Sequence, residues 1–473
     1  MRDDRGAGTT AAVRLAAGAT LRSTLDVTDP GDWLALDAEA REVAWHRPQF
    51  PPVRERWAHL PVDLTQVDES GLALALCHRD GWIRQEAVRC SPRYPGLLPL
   101  IVIRCADWVG PVRESARRLL REALDADAAV DLAPLVLRVG RRDRGAFGVE
   151  VLEEVLRRTS LGRLTALFAA PDRSVRRFAY RLAVDNRLLR PAELARAAAQ
   201  DEDIVVQDLC ATAALTALSD EETYDDVLPS LLTARNPRTR SAGVTALRRA
   251  RRSEQAETYL GDRSALVRAC ARYVVRQRGD DPAAWYRERC AAADDPELPP
   301  GAVIGLAECG DRADAGLLWA LLPHPAAGVR ARAVAGLRTL DCADAERLRP
   351  LLDDPAAGVV RETTVALLPS ARELPADWLL ERTGPERQRH VRLAAFRLLD
   401  ALGGVVALRA AVGLLEDPDV KLRSWAEQCV QRWHPSAELR HRDAEVGELL
   451  DRSRHLFSDH VLRRRKWEAG VDG

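Results

Sequence analysis

The chain has 473 residues, with 70 Lys plus Arg against 71 Asp plus Glu and a net charge of −1. A balance this even argues against indiscriminate attraction to nucleic acid or to an anionic membrane surface. Hydrophobic residues at 47% and charged residues at 30% exclude a chain disordered by its composition.

The apolar content is mostly Ala, Leu and Val, which favours an all-α reading. No apolar run approaches the ~18 residues of a membrane span. Nine cysteines stand singly, without a Cys-x-x-Cys pair, as expected of small buried side chains in a reducing compartment. The expected location is therefore cytoplasmic, with no metal, cofactor or membrane partner.

Residues 1–70 lack the periodicity that follows. An alanine-rich stretch around Ala11–Ala17 is interrupted by Arg14 and preceded by acids, so it makes a poor signal peptide. Residues 1–10 are expected to be disordered. Residues 31–70, with Trp33, Trp45, Trp57 and the segment Pro48-Gln49-Phe50-Pro51-Pro52, read as a helical cap over the first repeat; the sharper alternative is a Trp-lined ligand site.

From residue 71 to 435 a two-residue signature returns about every 31 residues: Ile83-Arg84, Val112-Arg113, Val175-Arg176, Val206-Gln207, Thr239-Arg240, Val267-Arg268, Val329-Arg330, Val360-Arg361, Val391-Arg392 and Leu422-Arg423. Two double steps hide worn copies near Gly145 and Pro299. A fixed period of this size predicts a right-handed α-α superhelix, a solenoid of about twelve helix pairs. In the clearest copy, Asp314 to Leu322 forms one helix, Pro323-His324-Pro325 ends it, and Val329, Ala333 and Leu337 share the inner face of the next. A small residue recurs three places after the Arg, as at Ala87, Ala116, Ala179, Ala271, Ala333, Ala395 and Ala426, where it lets helices approach. At 294–301 three prolines break the rhythm, as a kink, a short hinge or a harmless insertion in a turn.

Residues 436–473 read as a C-terminal helical cap. Four histidines crowd this end, His434, His441, His455 and His460, but no pair has the i, i+4 spacing of a helical zinc site, so no metal is expected. The run Arg463-Arg464-Arg465-Lys466 either docks an anionic partner or complements a helix C-terminus.

No Gly-rich phosphate loop, G-x-S-x-G or H-E-x-x-H is present, and no catalytic residue can be nominated. Residues 101–200 carry 19 Arg against 13 acids, however. Within and beside that stretch Arg89, Arg118 and Arg181 stand five residues after their signature arginines, and Arg117, Arg121 and Arg177 lie close by. These six are the candidate binding residues, able to track an anionic backbone if they share a face.

An Asp-Pro turn followed by Val-Arg-x-x-Ala, as in Asp417-Pro418 with Leu422-Arg423 and Ala426, resembles the HEAT repeat, especially the short form of phycobilisome-lyase-like HEAT proteins. The resemblance implies a ladder of hydrogen bonds between turn acids and signature arginines of neighbouring repeats. Its expected members are Asp107, Arg113, Arg176, Asp262, Arg268, Arg330, Arg361, Arg392, Asp417 and Arg423, with breaks where His324 replaces Asp and Gln207 replaces Arg. The long repeated surface, with no active-site pattern, predicts a non-enzymatic scaffold that binds a protein partner on its concave face, lined by the second helix of each pair. The alternative is a nucleic-acid-binding protein. Certain alkylpurine DNA glycosylases are built from HEAT-like repeats, and Asp107-Trp108 offers the Asp and Trp such enzymes use; no motif of theirs can be placed here residue by residue. A phycobilin lyase does not follow from the repeat alone.

Overall fold

The computed structural model describes residues 8–46, 63–218, 224–435 and 444–471. Pro48–Pro52, Trp57, Ser219–Glu222 and His441 lie outside the described residues, as do residues 1–7 and the side chains of residues 8–10 and of Trp45. The described residues are all-helical, in successive pairs joined by short turns, and contain no strand. The chain divides into two compact units, Met1–Thr239 and Arg240–Gly473.

In the first unit the helices Gly8–Ala16 and Pro30–His46 precede the repeats. Ala12, Leu15, Leu36 and Ala40 join the same buried cluster as Leu72 and Leu76 of the first repeat. Trp33 is 2% exposed and donates its indole N–H to Val27 O at 3.0 Å, so its side chain is core and not a ligand wall. Then come Glu69–Leu76 with Gly81–Cys90, Leu98–Arg104 with Gly110–Ala123, Ala126–Val139 with Ala146–Arg157, Leu161–Phe168 with Arg173–Asp185, and Pro191–Gln200 with Ile204–Thr216. Tyr224–Leu232 is followed by Pro237–Arg249, the helix that carries the chain into the second unit.

The second unit continues the scheme with Ser253–Tyr259 before Ala265–Arg278, Pro282–Ala291 before Pro300–Cys309, and Ala315–Ala320 before Ala327–Thr339. The turn Arg349–Asp353 then leads to Ala357–Leu367, Ala376–Glu381 to Arg389–Leu402, and Gly404–Gly413 to Val420–Arg432. Ala444–Arg452 and Asp459–Glu468 close the chain.

Several second helices begin at a side-chain cap that their own turn supplies. Asp172, Asp203 and Asp419 accept hydrogen bonds from backbone N–H groups of the first helical turn, satisfying donors that have no partner inside the helix. The inner face of a second helix is set by spacing: Val329, Ala333 and Leu337 are all 0% exposed. The small-residue slot is buried as well, at Ala87, Ala116, Ala271, Ala395 and Ala426.

The two worn copies hold glycines that the backbone crowds. A Cβ on Gly145 would lie 2.1 Å from Val139 O, and one on Gly301 would lie 2.1 Å from Gly261 O. The proline-rich segment at 294–301 is the turn between two paired helices. Pro300 occupies the first turn of Pro300–Cys309, where its missing N–H costs nothing, and Leu298 is buried. The division between the two compact units falls in the chain between Thr239 and Arg240, well before this turn.

Candidate functional site

The signature arginines form cross-links between successive turns, and the geometry repeats. One guanidinium nitrogen reaches back six residues to the carbonyl that opens its own turn: Arg84 to His78 O at 2.8 Å, Arg113 to Asp107 O at 2.8 Å, Arg176 to Ala170 O at 2.8 Å, Arg268 to Asp262 O at 2.8 Å, Arg330 to His324 O at 2.9 Å and Arg423 to Asp417 O at 2.6 Å. In Arg84, Arg176, Arg240, Arg330 and Arg392 the fork also grips an acid of the following turn. Arg84 holds Asp107 with bonds of 2.9 and 2.8 Å, Arg240 holds Asp262 with 3.0 and 2.9 Å, and Arg330 holds Asp354 with 2.8 and 2.9 Å. Arg176 meets Asp201, and Arg392 meets Asp417. The carboxylate of Asp107 therefore belongs to Arg84 of the preceding repeat, whereas Arg113 takes only the Asp107 carbonyl; Asp262 divides in the same way between Arg240 and Arg268, and Asp417 between Arg392 and Arg423.

The turn acid has a second task. Its Oδ1 accepts the N–H two residues on, from Val109, Ser264, Ala356 and Asp419 at 2.7 to 2.9 Å. His324 does the same with its Nδ1, which accepts the Ala326 N–H at 3.0 Å, and His78 does so for the Asp80 N–H at 3.0 Å. An imidazole thus replaces a carboxylate as turn-former, and Arg330 still reaches the carbonyl beside it. The break expected at His324 does not occur, because its Nε2 meets Asp295 O of the preceding turn at 3.0 Å and Arg330 needs only its backbone oxygen. Nor does the break expected at Gln207. Its amide donates to Asp201 O and accepts from Asn236 at 2.6 Å, an uncharged rung with the same connectivity.

The real departures lie elsewhere. Arg268 passes over Asp294, Asp295 and Glu297 of the worn turn that follows and pairs instead with Glu308, which Arg272 also holds at 2.7 Å. Arg361 is not a rung. Counting six from Asp354 arrives at Val360, which is 1% exposed, so Arg361 is turned one position round the helix with its side chain 71% exposed. Arg382 on Asp353 and His390 on Asp354 O bind the gap instead.

Charge follows this geometry. Burial, the largest influence on Asp107, pushes its carboxyl up, yet the hydrogen bonds from Arg84 and Val109 and the charge of Arg104 together hold it below the usual carboxylate range. Asp354 is held low in the same way by Arg330 and the Ala356 N–H against its burial. Asp107 accepts four hydrogen bonds, two from Arg84 and one each from Arg104 and Val109, which leaves no lone pair to activate water. Trp108 is stacked under the guanidinium groups of Arg84 at 4.3 Å and Arg41 at 4.6 Å. The pair Asp107-Trp108 is structural, and a glycosylase base at Asp107 has no support here.

The six candidate binding arginines separate into two groups. Arg117 bonds Cys105 O at 3.2 Å and Arg144 O at 3.0 Å, Arg121 packs over the Phe147 ring at 4.8 Å, and Arg177 forks onto Asp203. Arg89, Arg118 and Arg181 are exposed, at the shared position five after their signature arginines. At the C-terminus Arg465 donates to Gln431 O, Lys466 pairs with Asp451 and Arg464 with Glu468, so most of that basic run serves the fold. His434, His455 and His460 are exposed, and among the described residues no cluster of His, Cys, Asp or Glu is placed to hold a metal.

A concavity that combines apolar and charged walls lies in the second unit. It is a cleft of ≈ 510 Å³ across three consecutive second helices, Ala357–Leu367, Arg389–Leu402 and Val420–Arg432. Val360, Leu393, Ala394 and Trp425 supply its apolar surface; Arg361, His390, Arg397 and Lys421 supply its charge. Helical spacing brings them together: 357, 361 and 364 form one stripe, 390, 394 and 397 a second, and 421 and 425 a third. Trp425 is braced edge-on by Phe396, with ring centroids 5.0 Å apart. Sequence reasoning missed this cleft. The signal was available in part, since Arg397 stands five after Arg392, the same position that singled out Arg118 and Arg181.

No protein-family model matches the chain, and no curated protein does. Solved structures do. An engineered protein is 16% identical, with 90% of this chain and 98% of its own covered, at a TM-score of 0.22. Kap121p bound to Pho4p is 14% identical at a TM-score of 0.32; the match takes in 96% of this chain but only 55% of Kap121p. Kap95p in complex with RanGDP is 12% identical at 0.29, over 98% of this chain and 69% of Kap95p.

Proposed function

We propose that this chain is a non-catalytic scaffold of short, phycobilisome-lyase-like HEAT repeats that binds a protein partner on the face presented by its second helices. The observation that carries this reading is the cleft itself: three successive second helices turn apolar and cationic stripes into one open concavity, while the acids of the neighbouring turns are occupied in cross-links. A repeated helical surface with side chains free on one face and committed on the other is suited to recognition. Asp107, the acid weighed for glycosylase chemistry, is engaged structurally. The working location is the cytoplasm, which suits nine free thiols.

The test is affinity capture with the full chain and with Arg397→Glu/Lys421→Glu in parallel, followed by mass spectrometry. A defined protein held by the native chain supports the reading. Its complete absence across cell extracts, together with turnover of any substrate, would end it. A second reading, nucleic-acid binding, draws on the exposed Arg89, Arg118 and Arg181. It requires salt-dependent DNA or RNA binding that weakens on Arg118→Ala and Arg181→Ala; no binding at low salt removes it.

A further inference from the structure

We infer that the cleft across Ala357–Leu367, Arg389–Leu402 and Val420–Arg432 is a docking site for a short, extended, carboxylate-rich peptide segment that sets an apolar side chain on Trp425. This deepens the scaffold reading above and rests on it.

The first argument is charge. None of the cleft-lining residues is acidic. Four acids near in sequence are already engaged: Asp354 by Arg330, Asp353 by Arg382, Asp417 by Arg392 and Asp419 by Arg389. Among the described residues, Glu362 is the acid that touches a cleft cation, taking Arg361 at 3.1 Å. Arg397 and Lys421 are exposed. Positive charge therefore accumulates locally on a chain whose net charge is −1. Apolar walls concentrate the field of such cations and strengthen their attraction for an anion.

The second argument is size and shape. Three helices packed roughly 9 Å apart make a cleft on the order of 20 Å long, which an extended segment of about six residues would span at ~3.3 Å per residue. Three permanent cations and His390 match about three carboxylates on such a segment. The apolar stripe of Val360, Leu393 and Trp425 matches a side chain on its other edge.

The third argument separates peptide from nucleic acid. A polynucleotide presents a phosphate about every 3.4 Å per strand and is tracked by cations repeated along the array. Here the cations stop. The positions equivalent to Arg397 in the adjacent second helices are Ala335, Ala366 and Gln428. The patch is an island, suited to a short acidic segment.

The experiment is selection of a displayed random peptide library on the intact protein. Recovered peptides should be enriched in Asp and Glu around one aromatic or aliphatic residue. A fluorescein-labelled peptide from the enriched pool should lose affinity about tenfold or more with Arg397→Glu/Lys421→Glu, since like charges then face each other. It should also lose affinity with Trp425→Ala and on raising salt from about 50 to 500 mM. Arg332→Glu/Arg372→Glu, exposed outside the cleft with the same change in net charge, should leave it unaltered. Unchanged circular dichroism melts, with Arg397→Ala/Lys421→Ala as a milder pair, exclude unfolding as the cause. Recovery of no peptide, of peptides without acidic bias, or of acidic peptides indifferent to the charge reversal overturns the inference. So does a single-stranded oligonucleotide that binds the same residues more tightly than the peptide. A cellular partner retained equally by the native chain and the charge-reversed variant would leave the scaffold reading standing and this site refuted.

Discussion

Arg330 and Arg361 carry the same Val-Arg signature 31 residues apart, yet the structure assigns them opposite energetic weight. Arg330 makes two bonds to Asp354 at 2.8 and 2.9 Å and two more to His324 O and Pro325 O at 2.9 Å, with its side chain 13% and that of Asp354 6% exposed. Arg330→Met strands a largely buried carboxylate and two turn carbonyls. Breaking one side of a buried pair costs about 3–5 kcal/mol, most of it the penalty on the group left behind. Arg361→Met removes an exposed side chain paired with its chain neighbour Glu362, so its effect should stay within about 0.5 kcal/mol. The assay is urea unfolding followed by circular dichroism, joined to amide exchange over residues 324–360, because a repeat array can open locally. An acid arm tests the cause. The Asp354 carboxyl is held below its ordinary value, so its contribution is complete above the unfolded value of ~3.9 and is lost as pH falls through the lower folded one. Arg330→Met should shrink that acid loss. Equal destabilisation by the two substitutions would refute the cross-link account.

Three further outcomes follow from other parts of the structure. Burial lowers the His78 imidazole below its usual value, and its Nδ1 accepts the Asp80 N–H, so its share of stability is full above ~6.5 and falls away as pH drops through the folded value; His78→Asn should remove that part of the melting-temperature dependence between pH 7.5 and 5.5. Gly301→Ala would place a methyl 2.1 Å from Gly261 O and should lower the urea midpoint by the equivalent of roughly 1–3 kcal/mol, whereas Gly358→Ala, with open space around it, should not lower it. Burial pushes the Cys77 and Cys105 thiols up to about 12, so in the native protein a thiol reagent at neutral pH should leave both unlabelled, and labelling should appear only on unfolding.

The helix pairs, their order and their buried faces were legible in the sequence because they are local and repeated. Apolar residues at i, i+4 and i+8 choose the inner face, and Asp, Asn or Pro in the turns starts and stops each helix. The arginine that recurs was legible as a repeated requirement, but its partner was not. A rung joins residues as close as Arg240 and Asp262 or as distant as Arg268 and Glu308, 40 apart, and the choice depends on how one helix pair is staggered on the next. No short window of sequence contains that stagger. The same holds for substitutions that looked like breaks: His324 and Gln207 keep the connectivity because backbone carbonyls and a neighbouring amide complete it. Only the packed structure shows Arg361 rotated out of the ladder and set beside Arg397, Lys421 and Trp425. Periodicity tells which way each helix faces its own core, whereas a binding cleft is made where three such helices meet, and that meeting is a property of their stacking.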